Sequence, residues 1–131
     1  MKKLITSLTL LLMFTSPSYA EWEIGTISVR GGLREAIFYV DFDRIRKVDG
    51  FVYYWTLDDY RKPLSTGDLS YKVYNQGDCK LFRLKRLNQS TYTQSMAGGT
   101  PSATINKPET EWEYPSPGSV TENILNKVCK R

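Results

Sequence analysis

The two cysteines of this chain, Cys79 and Cys129, constrain its fold more than any other feature. They are the only cysteines, and a bond between them would tie the end of the chain to its middle. In the chain-entropy description, closing a loop of about 50 residues stabilises a fold by roughly 4 kcal/mol. Two cysteines in a chain without histidine do not make a zinc site. Whether the bond forms depends on the redox compartment in which the chain resides.

The first twenty residues have the three parts of a secretory signal peptide. Two lysines are followed by an apolar run from Leu4 to Phe14, and small residues lead up to Ala20. This pattern predicts cleavage after Ala20. The apolar run is too short to span about 30 Å of hydrocarbon, so no membrane span is expected in the mature chain. The signal peptide predicts an exported protein, periplasmic or secreted. Because no cysteine precedes Cys79, we expect no lipid anchor. In an oxidising compartment Cys79 and Cys129 should be paired.

The charge of the chain gives no reason to expect a nucleic-acid partner. The chain has 18 basic and 14 acidic side chains. The predicted signal peptide contains Lys2, Lys3 and no acidic residue, so its removal reduces the basic side chains from 18 to 16, against 14 acidic ones. Binding to phosphates needs a dense basic stripe, which this near-balanced composition does not supply. The predicted mature chain, residues 21–131, has the length of one domain.

A short helix is predicted at the C-terminus. Ser119 is followed three residues later by Glu122, which is the spacing of a capping box, and Pro117 with Gly118 forms a turn before it. One face of the helix is then formed by Thr121, Ile124, Leu125, Val128 and Cys129. That spacing directs Cys129 toward the core. A helix of this length is marginal in water on its own, so we expect it to dock on the rest of the protein.

The remainder of the chain has the composition of strands and turns. Aromatic and β-branched residues alternate with polar ones between glycine and proline turns. Strands are predicted at residues 21–29, 35–42 and 51–60, twice within 70–87, and at 90–96 and 110–115. A single helical turn is expected within 41–50, and a mobile loop over 98–111. The fold class is therefore α+β: a single antiparallel sheet of about six strands, with the C-terminal helix packed on it and tied by the disulfide.

The strand at 51–60 has bulky apolar side chains on both faces, and this points to a binding surface. Phe51, Tyr53 and Trp55 point one way, while Val52 and Tyr54 point the other. One short helix covers only one face, so either the sheet curls on itself or a partner or second copy covers the other face. The candidate binding surface is this strand with the turn after it: Tyr53, Trp55, Asp58, Tyr60, Arg61 and Lys62.

Little in the sequence suggests catalysis. The absence of histidine removes the usual general base and the catalytic triads, and the expected disulfide removes both thiols. Asp58 and Asp59 are the best pair of carboxylates, but neighbours on a strand point to opposite faces, so we expect them to solvate a turn. Asp41 and Asp43 lack further ligands at the spacing of a calcium loop. We therefore expect no catalytic residue, no cofactor and no metal.

Several segments together resemble the surface-adhesin protein E-like family of exported bacterial proteins. In chain order they are "FYVDFDRI", "GFVYYWTLDDYRKP", "SYKVYNQGDCKLFRL", "YTQSMAGG" and "EWEYPSPGSVTENILNKVC". The likeness extends over residues 36 to 129, and its most specific parts are the two cysteines and the pattern W-x-Y-x-x-P-G-S that precedes the helix. The resemblance implies an antiparallel sheet with a C-terminal helix tied to it by the disulfide. It also implies binding of host matrix and plasma proteins, although no binding residue transfers to this sequence.

The function expected from the sequence is that of a non-catalytic exported module that binds a protein at the envelope or outside the cell. Two alternatives stay open. One is a small secreted enzyme that acts on carbohydrate through Asp58 or Asp59, for which a retaining mechanism needs two carboxyl groups about 5 Å apart. The other is a homodimeric structural protein of the envelope, in which a second copy covers the apolar face.

Overall fold

The computed structural model describes residues 21–131, and the predicted signal peptide, residues 1–20, lies outside this range. The described chain forms one seven-stranded sheet with a C-terminal helix. The strands are β1 (Glu23–Arg30), β2 (Leu33–Val40), β3 (Arg46–Val48), β4 (Phe51–Tyr60), β5 (Ser70–Asp78), β6 (Arg83–Tyr92) and β7 (Ala103–Ile105), and the helix is α1 (Val120–Cys129). Short 3-10 turns lie at Phe42–Arg44 and Ser95–Ala97. The predicted α+β class is confirmed.

All neighbouring strands of the sheet run antiparallel, in the order β1, β2, β4, β5, β6, β7. The strand β3 lies outside this order because it pairs with the first half of β4, while β2 pairs with the second half. The 3-10 turn Phe42–Arg44 joins β2 to β3 and is the single helical turn expected within residues 41–50. Strand β4 is thus paired along both edges and forms the centre of the sheet.

Three of the predicted elements differ from the structure. Residues 90–92 complete β6, so the predicted separate strand at 90–96 is wrong. The predicted strand at 110–115 is reduced to one bridge between Glu113 and Leu84, because Pro115 has no N–H to continue a ladder. The predicted mobile loop contains β7, whose three residues are all exposed and are too few to give a periodic strand signal. Strand β7 pairs with β6 at the edge of the sheet.

The helix begins with the predicted cap and docks with the predicted face. Ser119 Oγ accepts a hydrogen bond from the Glu122 N–H (3.1 Å), while the Glu122 carboxylate accepts one from the Gly118 N–H (3.1 Å). The buried helix residues are Ile124, Leu125 and Val128. They form one core with the sheet residues Val40, Val52, Tyr54 and Leu84. We call the side of the sheet beneath α1 the helix face and the opposite side the open face.

Gly77 lets the helix approach the sheet closely. A Cβ atom at this position would lie 2.9 Å from Leu125 Cδ1 and 2.8 Å from Val52 Cγ2, which is closer than side chains tolerate. Leu125 occupies the space above Gly77 and is completely buried. The lack of a side chain at residue 77 therefore creates the socket that receives the helix.

The disulfide joins Cys79 to Cys129, with 5.7 Å between their Cα atoms, and so confirms the predicted bond. Cys79 begins the turn between β5 and β6, where Asp78 Oδ1 accepts hydrogen bonds from the N–H groups of Lys80 (3.1 Å) and Leu81 (3.2 Å). Asp78 Oδ2 receives a third bond from Arg83 Nε (2.9 Å). The Asp78 carboxylate thereby fixes the turn that presents Cys79 to the end of α1.

Candidate functional site

The candidate binding residues divide between the two faces of the sheet. Tyr53 and Trp55 lie on the open face, whereas Asp58 and Tyr60 lie on the helix face, because successive residues of β4 alternate. Arg61 follows β4 and donates from Nε to the Arg34 carbonyl (2.8 Å). Lys62 is exposed beside it. The sequence placed all six on one surface, but the structure divides them: Tyr53 lies with Trp55 on the open face, Asp58 lies with Tyr60 on the helix face, and Arg61 and Lys62 line a shallow cleft with Tyr60 at the end of β4.

An aromatic patch occupies the middle of the open face. We use this name for Phe51, Tyr53, Trp55, Tyr74 and Trp112. The rings of Trp55 and Tyr74 stack with centroids 4.7 Å apart, and Tyr53 lies 6.2 Å from Tyr74. At the end of the patch nearest the disulfide-bearing turn, Trp112 stacks on Phe51 at 5.8 Å. All five side chains are half-buried, so each keeps part of its surface in solvent.

Basic side chains lie directly on the aromatic patch. Lys72 Nζ is 4.8 Å from the centre of the Trp55 ring, and the charged groups of Arg83 and Lys85 are 4.2 and 4.5 Å from that of Trp112. These distances are those of cation–π contacts. The Arg83 charge is balanced by Asp78 at 2.9 Å. Lys72 and Lys85 have no such partner among residues 21–131, so the patch is positively charged.

The Asp78 carboxylate stays ionised beneath this patch. Burial acts to raise its pKa, but the hydrogen bonds from the Leu81 N–H and the Arg83 guanidinium outweigh burial and hold the pKa below its usual value. The positive charge of Arg83 is therefore neutralised at neutral pH.

The far end of the open face is covered by the turn Ser95–Ala97. Ser70 Oγ donates to the Gln94 carbonyl (2.6 Å) and accepts from the Ala97 N–H (2.9 Å). Asp59 Oδ1 accepts from the Met96 N–H (2.8 Å). Ser70 and the open-face side chain of Leu57 are fully buried at this end of the sheet. The chain itself thus covers one end of the open face, and the aromatic patch is what remains accessible.

On the helix face, Asp58 lies in a cleft beside the first turn of α1. The cleft has a volume of about 150 Å³, and Phe38, Tyr54 and Thr121 are among the residues that line it. Asp58 pairs across the sheet with Phe38 on β2 and with Tyr71 on β5. Tyr60 stands edge-on to both rings, with centroid distances of 6.4 Å to Phe38 and 5.8 Å to Tyr71. The carboxylate is therefore surrounded by aromatic side chains.

The charge of Asp58 is compensated only in part. Burial raises its pKa from 3.8 to about 6, and the positive charge of Arg86 opposes this only in part. Arg86 itself is held by Glu113 (2.6 Å) and Glu109 (3.6 Å). Although burial disfavours the charged form of Arg86, these two glutamates raise its pKa. Within residues 21–131, the Asp58 side chain makes no hydrogen bond or ion pair.

We expect Asp58→Asn to stabilise the protein at neutral pH. The pKa of Asp58 is raised on folding, so the protonated group contributes stability that is fully present below about pH 4 and is lost as pH rises through 6. The full shift corresponds to about 3 kcal/mol, and partial exposure reduces this to about 2 kcal/mol. Urea unfolding at pH 7.5 and pH 4 measures the effect: the variant gains stability only at pH 7.5. The control Glu111→Gln removes an exposed carboxylate and should leave stability unchanged at both pH values. A gain in stability of Asp58→Asn that is equal at pH 7.5 and pH 4 would contradict the assigned pKa shift.

The other acidic pairs do not form a site. Asp58 and Asp59 lie on opposite faces of a regular part of β4, so they do not have the shared cleft that a pair of catalytic carboxylates needs. They also do not solvate a turn as expected, because β4 continues to Tyr60 and Asp58 is half-buried. Asp41 is buried with Arg44 Nε at 3.4 Å, whereas Asp43 is exposed. No group of three potential metal ligands occurs within residues 21–131.

Several residues of the open face are not indicated by any sequence pattern. Tyr74 and Lys72 reach the aromatic patch because β5 pairs Tyr74 with Trp55. The alternation in "SYKVYNQ" places these two side chains on one face, but only the register identifies that face as the open one. Trp112 comes from a segment without a strand, so no periodic pattern indicates its position.

The fold and the disulfide define a class of small proteins in which a C-terminal helix is clasped to an antiparallel sheet. The chain belongs to the surface-adhesin protein E family, whose sequence model matches residues 27–130. This confirms the resemblance noted in the sequence. No curated protein sequence matches the chain. No helix among residues 21–131 has the length and apolar character needed to cross a membrane.

Solved structures of Haemophilus influenzae protein E share the fold. Crystal form II has a TM-score of 0.60 and 17% identity, covering 85% of this chain and 97% of the other. A second structure of the same protein gives 0.58 and 17%, covering 80% and 89%. The protein from a non-typeable strain gives 0.53 and 15%, covering 84% and 83%. At this identity the likeness establishes the fold alone.

Proposed function

We propose that the protein is a non-catalytic binding module, and that its ligand is a protein at the cell envelope or outside the cell. The observation that carries this proposal is the aromatic patch with its basic side chains on the open face. Tryptophan, tyrosine and arginine are the residues that dominate the binding energy of protein interfaces. Membership of a family described as surface adhesins supports a role in adhesion.

The patch is also rigid before any partner binds. Trp55 and Tyr74 are stacked on each other, and Gln76 Nε2 donates to the Tyr53 hydroxyl (3.2 Å). Four of the five rings stand on β4 and β5, which are paired on both sides, and Trp112 stacks on one of them, Phe51. Side chains held in this way lose little rotamer entropy on binding, so more of the contact energy appears as affinity. The excess positive charge from Lys72 and Lys85 favours a partner with an acidic surface, because complementary charges speed association.

The protein is proposed to act outside the cytoplasm, in the periplasm or after secretion. The disulfide Cys79–Cys129 supports this location, because such bonds persist in oxidising compartments.

We expect Trp55→Ala to abolish most of the affinity for the partner. Solid-phase binding of the oxidised protein to a panel of envelope and matrix proteins identifies that partner. A central tryptophan of an interface contributes about 2 kcal/mol or more, so the dissociation constant should rise at least roughly thirtyfold. The matched control is Val29→Ala, at an exposed apolar residue of the edge strand β1, which should leave binding unchanged.

Two results would count against the proposal. No saturable binding to any member of the panel would remove the binding function, and equal effects of Trp55→Ala and Val29→Ala would remove the patch as its site. The mass in solution tests the homodimer alternative in the same samples. A mass that is independent of concentration and equal to that of a monomer would exclude it.

A further inference from the structure

We propose that the cleft on the helix face binds a small organic ammonium ion, with Asp58 as its counter-ion and Phe38 and Tyr54 as its aromatic walls. This inference does not rest on the proposed protein-binding function, because the cleft and the aromatic patch lie on opposite faces of the sheet. No catalytic step is involved. The ligand chemistry follows from the shape, the side chains and the charge of the cleft.

The shape of the cleft suits a compact cation. The rings of Phe38 and Tyr54 line the cleft, and Asp58 lies directly opposite Phe38, where antiparallel strands bring Cβ atoms to about 5 Å from each other. Tyr60 makes an edge contact with the Phe38 ring. The volume of about 150 Å³ is comparable to that of a protein cavity that holds benzene. An alkylammonium or trimethylammonium group is no larger than benzene, so it fits.

The chemistry of the walls selects a cation. The electron-rich faces of aromatic rings attract ammonium groups, and cages of aromatic residues recognise quaternary ammonium ligands in other proteins. A half-buried carboxylate without a hydrogen-bond partner carries a desolvation cost, and a bound cation would relieve that cost. A metal ion would need several oxygen ligands, and no group of three potential ligands occurs in the described part of the chain.

The charge balance opposes an anionic ligand. Arg86 is the cationic side chain among the residues that line the cleft, and Glu113 and Glu109 already hold it. An anion at this position would lie beside the Asp58 carboxylate and would compete with both glutamates for Arg86. A cation at Asp58 meets an unpaired negative charge and a neutralised arginine.

The test uses choline chloride as the probe, with sodium chloride at the same ionic strength as the reference. Calorimetry measures affinity, and amide chemical shifts locate the site. We expect saturable binding with shifts at residues 56–60 and 120–124. The uncharged isostere 3,3-dimethyl-1-butanol should bind at least tenfold more weakly. No saturable binding of choline, or equal binding of the isostere, would overturn the proposal.

Single substitutions test the contributions of the Asp58 carboxylate and of the aromatic walls to choline binding separately. Asp58→Asn should weaken choline binding at least tenfold, and its unfolding curve reports whether it is folded. Phe38→Leu keeps the carboxylate and should weaken binding several-fold through loss of one aromatic wall. The control Glu111→Gln should bind as the original protein does. Unchanged binding in Asp58→Asn would overturn the assignment.

The pH dependence gives an independent readout. Choline requires ionised Asp58, so binding at pH 5 should be about tenfold weaker than at pH 7.5. The other titratable groups near Asp58 are Arg86, with its partners Glu109 and Glu113, and Tyr54, Tyr60, Tyr71 and Glu35. Glu35→Gln should leave the pH profile unchanged, whereas a profile that disappears in this variant would contradict the role of Asp58.

The ammonium group has two sources that the experiment distinguishes. Vesicles of phosphatidylcholine, compared with vesicles of phosphatidylglycerol, present the same group on a lipid. Selective binding to phosphatidylcholine that free choline displaces supports a headgroup as the ligand. Binding of choline without binding of either vesicle supports a free small molecule.

Discussion

Replacing both cysteines by serine is expected to lower the free energy of unfolding by about 4 kcal/mol. The bond between Cys79 and Cys129 closes a segment with a sequence separation of 50, so it removes many conformations from the unfolded chain. It also holds the last turn of α1 against the turn after β5. Urea unfolding of the double variant and of the oxidised protein measures the difference, and mass analysis without reductant should find no free thiol in the latter.

Reduction of the original protein supplies the control. Reduction removes the same cross-link without changing any other atom, so the reduced protein and the double serine variant should unfold at similar urea concentrations. A double serine variant as stable as the oxidised protein would contradict the stabilising role of the disulfide. Equal stability in both forms would mean that the helix is held by its packing alone.

The helix was predictable because it depends on local signals, and its disulfide was predictable because the chain contains only two cysteines that can pair. Ser119 and Glu122 stand at the spacing of a capping box, and the periodicity of Ile124, Leu125 and Val128 defines the docking face. The structure confirms the cap and all three buried residues. Only the partner of the Glu122 carboxylate differs, since it accepts from the Gly118 N–H rather than from that of Ser119.

The edge of the sheet was predicted less well because local patterns do not encode it. Strand β7 is entirely exposed, and it is held by backbone pairing and by polar contacts such as that between Ser90 and Thr104 (3.2 Å). Three exposed residues are too short a run to give a periodic strand signal. The turn between the two strands predicted within 70–87 lies at residues 79–82, where Asp78 stabilises it and Phe82 adopts a positive φ of 52°.

The candidate site shows the same limit. Alternation along β4 correctly separated Tyr53 and Trp55 from Tyr54, yet the candidate surface still combined residues of both faces. The partners on β2 and β5 depend on register, which is a long-range property. Phe38 and Tyr71 are distant from Asp58 in sequence, and only the pairing of three strands makes them its neighbours.

The second large effect is expected for Leu125→Ala, which should lower the free energy of unfolding by about 3 kcal/mol. Leu125 is completely buried and fills the socket above Gly77. Its truncation leaves a cavity that a backbone without a side chain cannot fill. The exposed neighbour gives the matched control, since Asn126→Ala should change stability by less than about 0.5 kcal/mol. Similar losses in the two variants would show that the helix is not docked through Leu125.

The disulfide and the packing of Leu125 both hold α1 against the sheet, so the stability losses caused by removing each of them should not add. A helix of ten residues is marginal on its own. Without the disulfide, α1 should spend part of its time undocked, and the methyl groups removed by Leu125→Ala are then less completely buried. The same substitution should therefore cost less in the double serine background than in the oxidised protein, as a double-mutant cycle measures. Additivity within about 0.5 kcal/mol would show instead that the helix stays docked without its covalent bond.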